Sequence, residues 1–161
     1  VTNDNISYIA KIVADEVSKS KMLSSITLDI ARKLIAAVED KARQMGVNAV
    51  VAVSDAHGRP VAIECMDNSY IASYDVALNK AFTVVALKMS TIALKPLSQP
   101  GASLYGIQFT NEGKIVIFGG GDPLMYNSQI IGGLGVSGGT EEQDTALSAY
   151  GAQILKDIID Q

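Results

Sequence analysis

The sequence predicts an α+β fold in which helices cover a mostly antiparallel sheet. Apolar residues recur at intervals of three and four in four separate segments, and short β-branched runs lie between them. Turn-forming residues join neighbouring runs, and strands linked by short turns must run antiparallel because a parallel pair needs a long crossover. The predicted order is α-α-β-β-α-β-β-β-α.

The first helix rests on Ile6, Ile9, Ile12, Val13 and Val17, interrupted by Lys11, Asp15, Glu16 and Lys19. Lys21 to Ser25 break it. A second helix runs from about Thr27 to Met45 on Ile30, Leu34, Ile35, Val38, Ala42 and Met45, with Thr27 as cap and Gly46 as stop. The period then changes to strands at Ala49–Val53 and Pro60–Met66, joined by a turn at Asp55-Ala56-His57-Gly58. Ile71, Tyr74, Leu78, Ala81, Phe82, Val85 and Met89 give a long helix with a wide apolar stripe.

Pro96, Pro100 and Gly101 mark Ser90–Gly106 as a long loop, a type of segment that often lines sites. Three further strands are expected at Ile107–Thr110, Ile115–Phe118 and Gln129–Val136, with a turn at Asn111-Glu112-Gly113 and a glycine-rich corner between the last two. Thr140 and Gln143 form a capping box before Ala146, Leu147, Tyr150, Ile154, Leu155 and Ile158, the apolar face of a final helix. The whole reads as one domain over residues 1–161, with a helical extension at 1–25 and a core at 27–159.

A chain of 161 residues can bury a sizeable core without disulfides or metals. Its 48% hydrophobic and 19% charged residues exclude a disordered tail. Net charge −4 leaves no basic surface for a phosphate backbone, so no nucleic-acid partner is expected. No apolar run reaches the ~18 residues of a membrane helix, and no basic-then-apolar leader opens the chain, so neither a membrane partner nor export is expected and the location read is cytoplasmic. One cysteine, Cys65, and one histidine, His57, exclude an internal disulfide and a multi-histidine metal site. The low charged fraction leaves more apolar surface than one domain readily hides, which predicts a homo-oligomer.

Two short motifs suggest chemistry that their context opposes. Gly133-Leu134-Gly135-Val136-Ser137-Gly138 fits a dinucleotide-binding pattern, but no second parallel strand follows, and Glu141 and Glu142 in the next helical turn repel phosphate. Gly135-Val136-Ser137-Gly138-Gly139 fits a serine-hydrolase elbow, yet His57 precedes Ser137 by eighty residues, the reverse of the order in that fold. Cys65 reads as a buried structural thiol. Lys80 reads as a charge at the edge of an apolar stripe, and Schiff-base chemistry there would require burial.

His57 is either a solvated turn residue or an axial ligand to a macrocycle metal, a role for which one imidazole suffices. Eleven of the 14 glycines lie between Gly101 and Gly139, including Gly119-Gly120-Gly121-Asp122-Pro123 and Gly132-Gly133. Such clustering marks either a bent edge or subunit contact, or a pocket where a ligand approaches the backbone.

Five ordered motifs carry a family resemblance: Val53-Ser54-Asp55-Ala56-His57-Gly58, Met66-Asp67-Asn68, Ala77-Leu78-Asn79-Lys80-Ala81, Gly119-Gly120-Gly121-Asp122-Pro123-Leu124, and Ile131 through Gly139 followed by Gln143-Asp144. Together they resemble the GlcG/HbpS family, which includes the C-terminal domain of PduO corrinoid adenosyltransferases and small proteins encoded near glycolate, glycerol and propanediol genes. The resemblance covers about Thr27 to Ile158. It implies a profilin-like α/β/α domain with a five-stranded antiparallel sheet and assemblies from dimers to octamers. Members with an assigned role bind haem, and one is an accessory to a redox-sensing two-component system.

The expectation is therefore a non-catalytic sensor or accessory protein that binds haem or a related corrinoid. His57, or failing it Met66, would contact the metal, and Gly120, Gly121, Pro123 and Ser137 would line the cofactor site. Tyr74, Phe82, Met89, Leu97 and Leu104 would supply apolar walls. The rival is an enzyme or assembly subunit of diol or glycerol metabolism, with Ser137 and backbone amides of the Gly120 corner forming an oxyanion pocket. No visible nucleophile–base pair supports it.

Overall fold

The computed structural model describes residues 3–19 and 23–161, so Lys21 and Met22 of the expected break lie outside the described residues. Four strands, β1 (Val50–Asp55), β2 (Pro60–Cys65), β3 (Gly121–Tyr126) and β4 (Gln129–Ser137), form an antiparallel sheet in the order β2-β1-β4-β3. Among the described residues the α-helices are α1 (Asn3–Lys19), α2 (Leu28–Gln44), α3 (Ser73–Ala86), α4 (Thr91–Leu97) and α5 (Glu141–Ile159). None is by itself long and apolar enough to cross a membrane.

Alternation along the strands sends side chains to two layers. On one face Val51, Val53, Leu124, Leu134 and Val136 meet Leu34, Ile35 and Val38 of α2 and Leu147 and Leu155 of α5. Burying each of these aliphatic side chains contributes roughly 1.5–3 kcal/mol before conformational entropy is counted. On the other face Val50 and Ala52 pack against Ala77 and Ala81 of α3.

Glycines set the closeness of that second layer. A Cβ on Gly135 would lie 2.0 Å from the Ala77 carbonyl oxygen, and one on Gly133 would lie 2.2 Å from that of Ala81. These positions thus let the backbone of α3 rest directly on β4. Ser54 adds a hydroxyl donated to the same Ala81 oxygen at 2.9 Å.

The sheet has four strands where the sequence suggested five. Ile107–Phe109 and Asn111–Gly113 are single 3-10 turns, and Ile115 and Val116 are buried without joining a ladder. The Val116 amide donates to Thr83 Oγ1 at 3.0 Å, so a helix side chain satisfies it in place of a neighbouring strand. The glycine-rich corner instead opens β3, and Pro123 is tolerated because β3 is a sheet edge.

Ser90–Gly106 is not all loop: Ser90 caps α4 by accepting from the Ala93 amide at 3.3 Å. The long helix is shorter than its periodicity suggests, since Ile71 lies in a preceding turn and is 96% exposed. The predicted caps of α2 at Thr27 and of α5 at Thr140 and Gln143 are present. In α1, Ile6, Ile9, Ile12 and Val13 keep their helical spacing but remain exposed.

Candidate functional site

The β1–β2 turn is held by a carboxylate. Asp55 Oδ1 accepts from the amides of His57 at 2.9 Å and Arg59 at 3.0 Å, while Oδ2 accepts from Arg59 Nε at 3.2 Å. Burial alone would raise the Asp55 pKa, but the two amides and the guanidinium favour the charged form and hold it below 3.8. Gly58 has φ +77°, and a Cβ there would meet Phe82 at 3.0 Å, so the turn can lie against that ring.

His57 projects from this turn as an exposed residue. It borders a cavity of about 340 Å³ with Arg59, Leu78, Asn79, Phe82 and Lys114. The helix α3 therefore supplies the expected apolar wall through Phe82 and Leu78, but Tyr74, Met89, Leu97 and Leu104 do not line this cavity.

Met66 belongs to a different place. Its sulfur accepts from the Ala49 amide at 3.3 Å, and it borders a polar cavity of about 450 Å³ with Glu39, Arg43, Glu64 and Cys65. Burial and the neighbouring Glu64 raise the pKa of Glu39. His57 and Met66 flank opposite ends of the six-residue β2, a length of ~20 Å at ~3.3 Å per residue, so within one chain they cannot hold one metal together. Cys65, expected to be buried, is exposed on this edge strand.

Gly120 and Gly121 close around a residue whose burial the sequence reading missed. Lys80 is completely buried, and its Nζ donates to the Val136 carbonyl oxygen at 2.7 Å and to Asp144 Oδ2 at 3.2 Å. The Phe118 ring covers the same ammonium at 5.0 Å. A Cβ on Gly120 would lie 2.5 Å from Nζ, and one on Gly121 would lie 3.2 Å from the Lys80 Cβ. The corner thus closes over a lysine of the chain itself. The signal was present in the pattern: Ser73, Ala77, Lys80, Ala81 and Val84 share the buried face of α3 at spacings of three and four.

Ser137 Oγ donates to Ser73 Oγ at 3.0 Å at the edge of a cavity of about 260 Å³, which Tyr70, Val76, Phe118 and Asp144 also line. Pro123 is remote from Ser137 along the sheet, paired with Gly133 on the edge strand. The Gly121 amide donates to Thr91 Oγ1 at 2.9 Å and the Gly119 amide to Glu141 Oε2 at 3.4 Å, so both are engaged as oxyanion donors could not be.

The strand register excludes a Ser137–His57 pair within one chain. Ser137 is opposite Val50 at the start of β1, whereas His57 lies beyond Asp55 at its end, more than ~15 Å away at ~3.3 Å per residue. The glycines of the dinucleotide-like motif face α3 and the Asn48 backbone, and Glu141, Glu142 and Asp144 occupy the first turn of α5.

Residues 26–153 match the family described as "Haem degrading protein HbpS-like". The chain belongs to the HbpS-like family. A relative from Citrobacter freundii, an uncharacterized 15.0 kDa protein in the dhaT-dhaS intergenic region, is 46% identical over 131 residues, covering 81% of this chain and 92% of that one. The corrinoid adenosyltransferase PduO of Salmonella typhimurium is 39% identical over 127 residues, covering 79% of this chain but only 38% of the longer protein. The solved structure of a PduOC:heme complex superposes with a TM-score of 0.77 at 37% identity, covering 80% of this chain and 94% of that one. The mixed α+β architecture is thus that of HbpS and of the PduO C-terminal domain.

Proposed function

We propose that this HbpS-like chain is a binding protein for haem or a related corrinoid, acting as a sensor or accessory in glycolate, glycerol or propanediol metabolism. The observation that carries the reading is the exposed His57 imidazole beside a cavity walled by Phe82 and Leu78. The similarity to a domain solved as a haem complex supports the same ligand class.

The residues present fit a haem at that place. An imidazole can ligate iron, an aromatic ring and a leucine can cover the apolar macrocycle, and Arg59 and Lys114 can pair with its carboxylates. Bound haem would supply a redox-active centre. The chain's part is to hold it: Asp55 fixes the turn that carries His57, and Gly58 lets the turn sit on Phe82. Gly120, Gly121, Pro123 and Ser137 are not among the residues lining this cavity, which makes them secondary to the haem reading. A homo-oligomer, from a dimer to an octamer, would let a second copy cover the open side.

Haemin titration of the purified protein should shift the Soret band with saturation in the micromolar range. His57→Ala should alter the visible spectrum while the hairpin stays folded, although apolar burial would preserve part of the affinity. No Soret shift with haemin or cobalamin, where a control binder saturates, removes the proposal. Wild-type and His57→Ala spectra that superimpose from about pH 5 to 8 would move the ligand to Met66 or a residue of a second subunit.

A further inference from the structure

The geometry points to a second, separate site: we propose that the cavity beside Ser137 admits a small aldehyde or ketone, which forms an imine with Lys80 behind the Phe118 ring. Imine chemistry needs an amine in a pocket shielded from water, a nearby group to exchange its proton, and room for a carbonyl compound. The first two are present around Lys80 Nζ, with Asp144 Oδ2 at 3.2 Å and, among the described residues, no other titratable side chain within hydrogen-bonding range. The third is the adjoining cavity of about 260 Å³, which suits a ligand smaller than the ~300–1,000 Å³ range of drug-sized sites.

Phe118 and Asp144 form the wall between the cavity and the amine. Phe118 is 41% exposed, so its ring has free space outside into which it can turn, and that motion opens Lys80 to the cavity. The cavity combines aromatic and aliphatic surface from Tyr70, Val76 and Phe118 with the hydroxyls of Ser73 and Ser137, which are 3.0 Å apart. That mixture suits a short carbon chain bearing an oxygen function. An anion is disfavoured, because Glu141 and Asp144 stand at the same rim.

The step balances without an outside oxidant or reductant. The Lys80 ammonium passes a proton to the Asp144 carboxylate, the free amine adds to the carbonyl carbon, forming C–N as the C=O π bond breaks, and a proton moves from the new nitrogen to the oxygen to give a neutral carbinolamine. Its hydroxyl takes back the proton held by Asp144 and leaves as water, which Ser73 and Ser137 can hold, while the nitrogen lone pair forms C=N and the protonated imine pairs with the Asp144 carboxylate. Burial supports the first transfer: it pushes the amine pKa down and that of Asp144 up, against the attraction between their charged forms.

The test is reductive trapping on the full chain. Propanal with cyanoborohydride at pH 7 converts an imine to a stable propyl-lysine, which peptide mass spectrometry locates. Lys80 should accumulate the adduct at least ten-fold faster than exposed Lys33 and Lys156, and Phe118→Ala should speed it several-fold further. Lys80→Arg should remove that peptide's adduct while haemin binding, whose cavity does not include Lys80, is retained. An unmodified Lys80 beside labelled Lys33 and Lys156, in both the wild type and Phe118→Ala, would overturn the proposal and leave a sealed ion pair. Loss of haemin binding in an otherwise unmodified protein would bear on the haem reading alone.

Discussion

Lys80 and Asp144 form an ion pair at 3.2 Å that joins the two helical layers across the end of the sheet. Lys80 comes from α3 on one face, Asp144 from the first turn of α5 on the other, and the ammonium is also bonded to the Val136 carbonyl oxygen of β4 between them. Asp144 Oδ1 further accepts from the Gly139 amide at 2.9 Å. One carboxylate therefore satisfies the lysine and the turn that leads into α5.

Removing one partner leaves a buried charge without compensation, so Asp144→Ala should lose about 3–5 kcal/mol of stability in urea denaturation. Replacing both, as Lys80→Met with Asp144→Leu, should recover most of that loss, because apolar groups of similar volume need no partner. A double variant as unstable as the single one would contradict this account.

The contact between α3 and β4 depends on an absent side chain. Gly135→Ala would place a methyl group 2.0 Å from the Ala77 carbonyl oxygen, which must move together with its helix. The expected cost is about 3 kcal/mol, at the upper end of ordinary overpacking, read as a lower urea midpoint. An unchanged midpoint would show that α3 can lift from the sheet freely.

Asp122 on β3 is half-buried against α5, with the Ser148 hydroxyl as its hydrogen-bond donor. Burial raises its pKa above 3.8, and the Ser148 bond only partly opposes this. A carboxyl raised in the folded state contributes stability below its unfolded pKa and loses that contribution as pH rises through the folded value. Asp122→Asn should therefore gain stability over the wild type at pH 7, with the gain shrinking as pH falls toward 3.8. Urea midpoints of both proteins across that range check the sign, and a gain that grows on acidification would refute it.

The exposed Ile6, Ile9, Ile12 and Val13 give α1 an apolar face with no partner among the described residues. Light scattering should return a multiple of 17.0 kDa at micromolar concentration. Ile9→Lys with Val13→Lys should shift the distribution toward smaller species if that face lies between subunits. A mass of 17.0 kDa for the wild type would contradict the oligomer reading.

Local signals in the sequence determined much of this molecule. The spacing of Leu34, Ile35, Val38 and Ala42, the caps Thr27 and Thr140, and the turn before Gly58 depend on residues within one or two helical turns of one another, so they specify α2, α5 and the β1–β2 hairpin directly. His57 could likewise be placed in a turn, because Asp55 binds its amide only two residues away.

The tertiary structure decided what distant partners decide. Ile115 and Val116 have strand propensity, but Thr83 takes the Val116 amide, whereas β3 forms through Gly121 and Pro123 because β4 offers a ladder at the sheet edge. The apolar spacing along α3 was read as leaving Lys80 at the edge of its stripe; Asp144, 64 residues away, and the closing Gly120 corner put the charge inside and satisfy it there. Likewise, strand register rather than motif order separates Ser137 from His57. Periodicity records which side of an element faces inward; the identity of the group waiting there is fixed when the layers close.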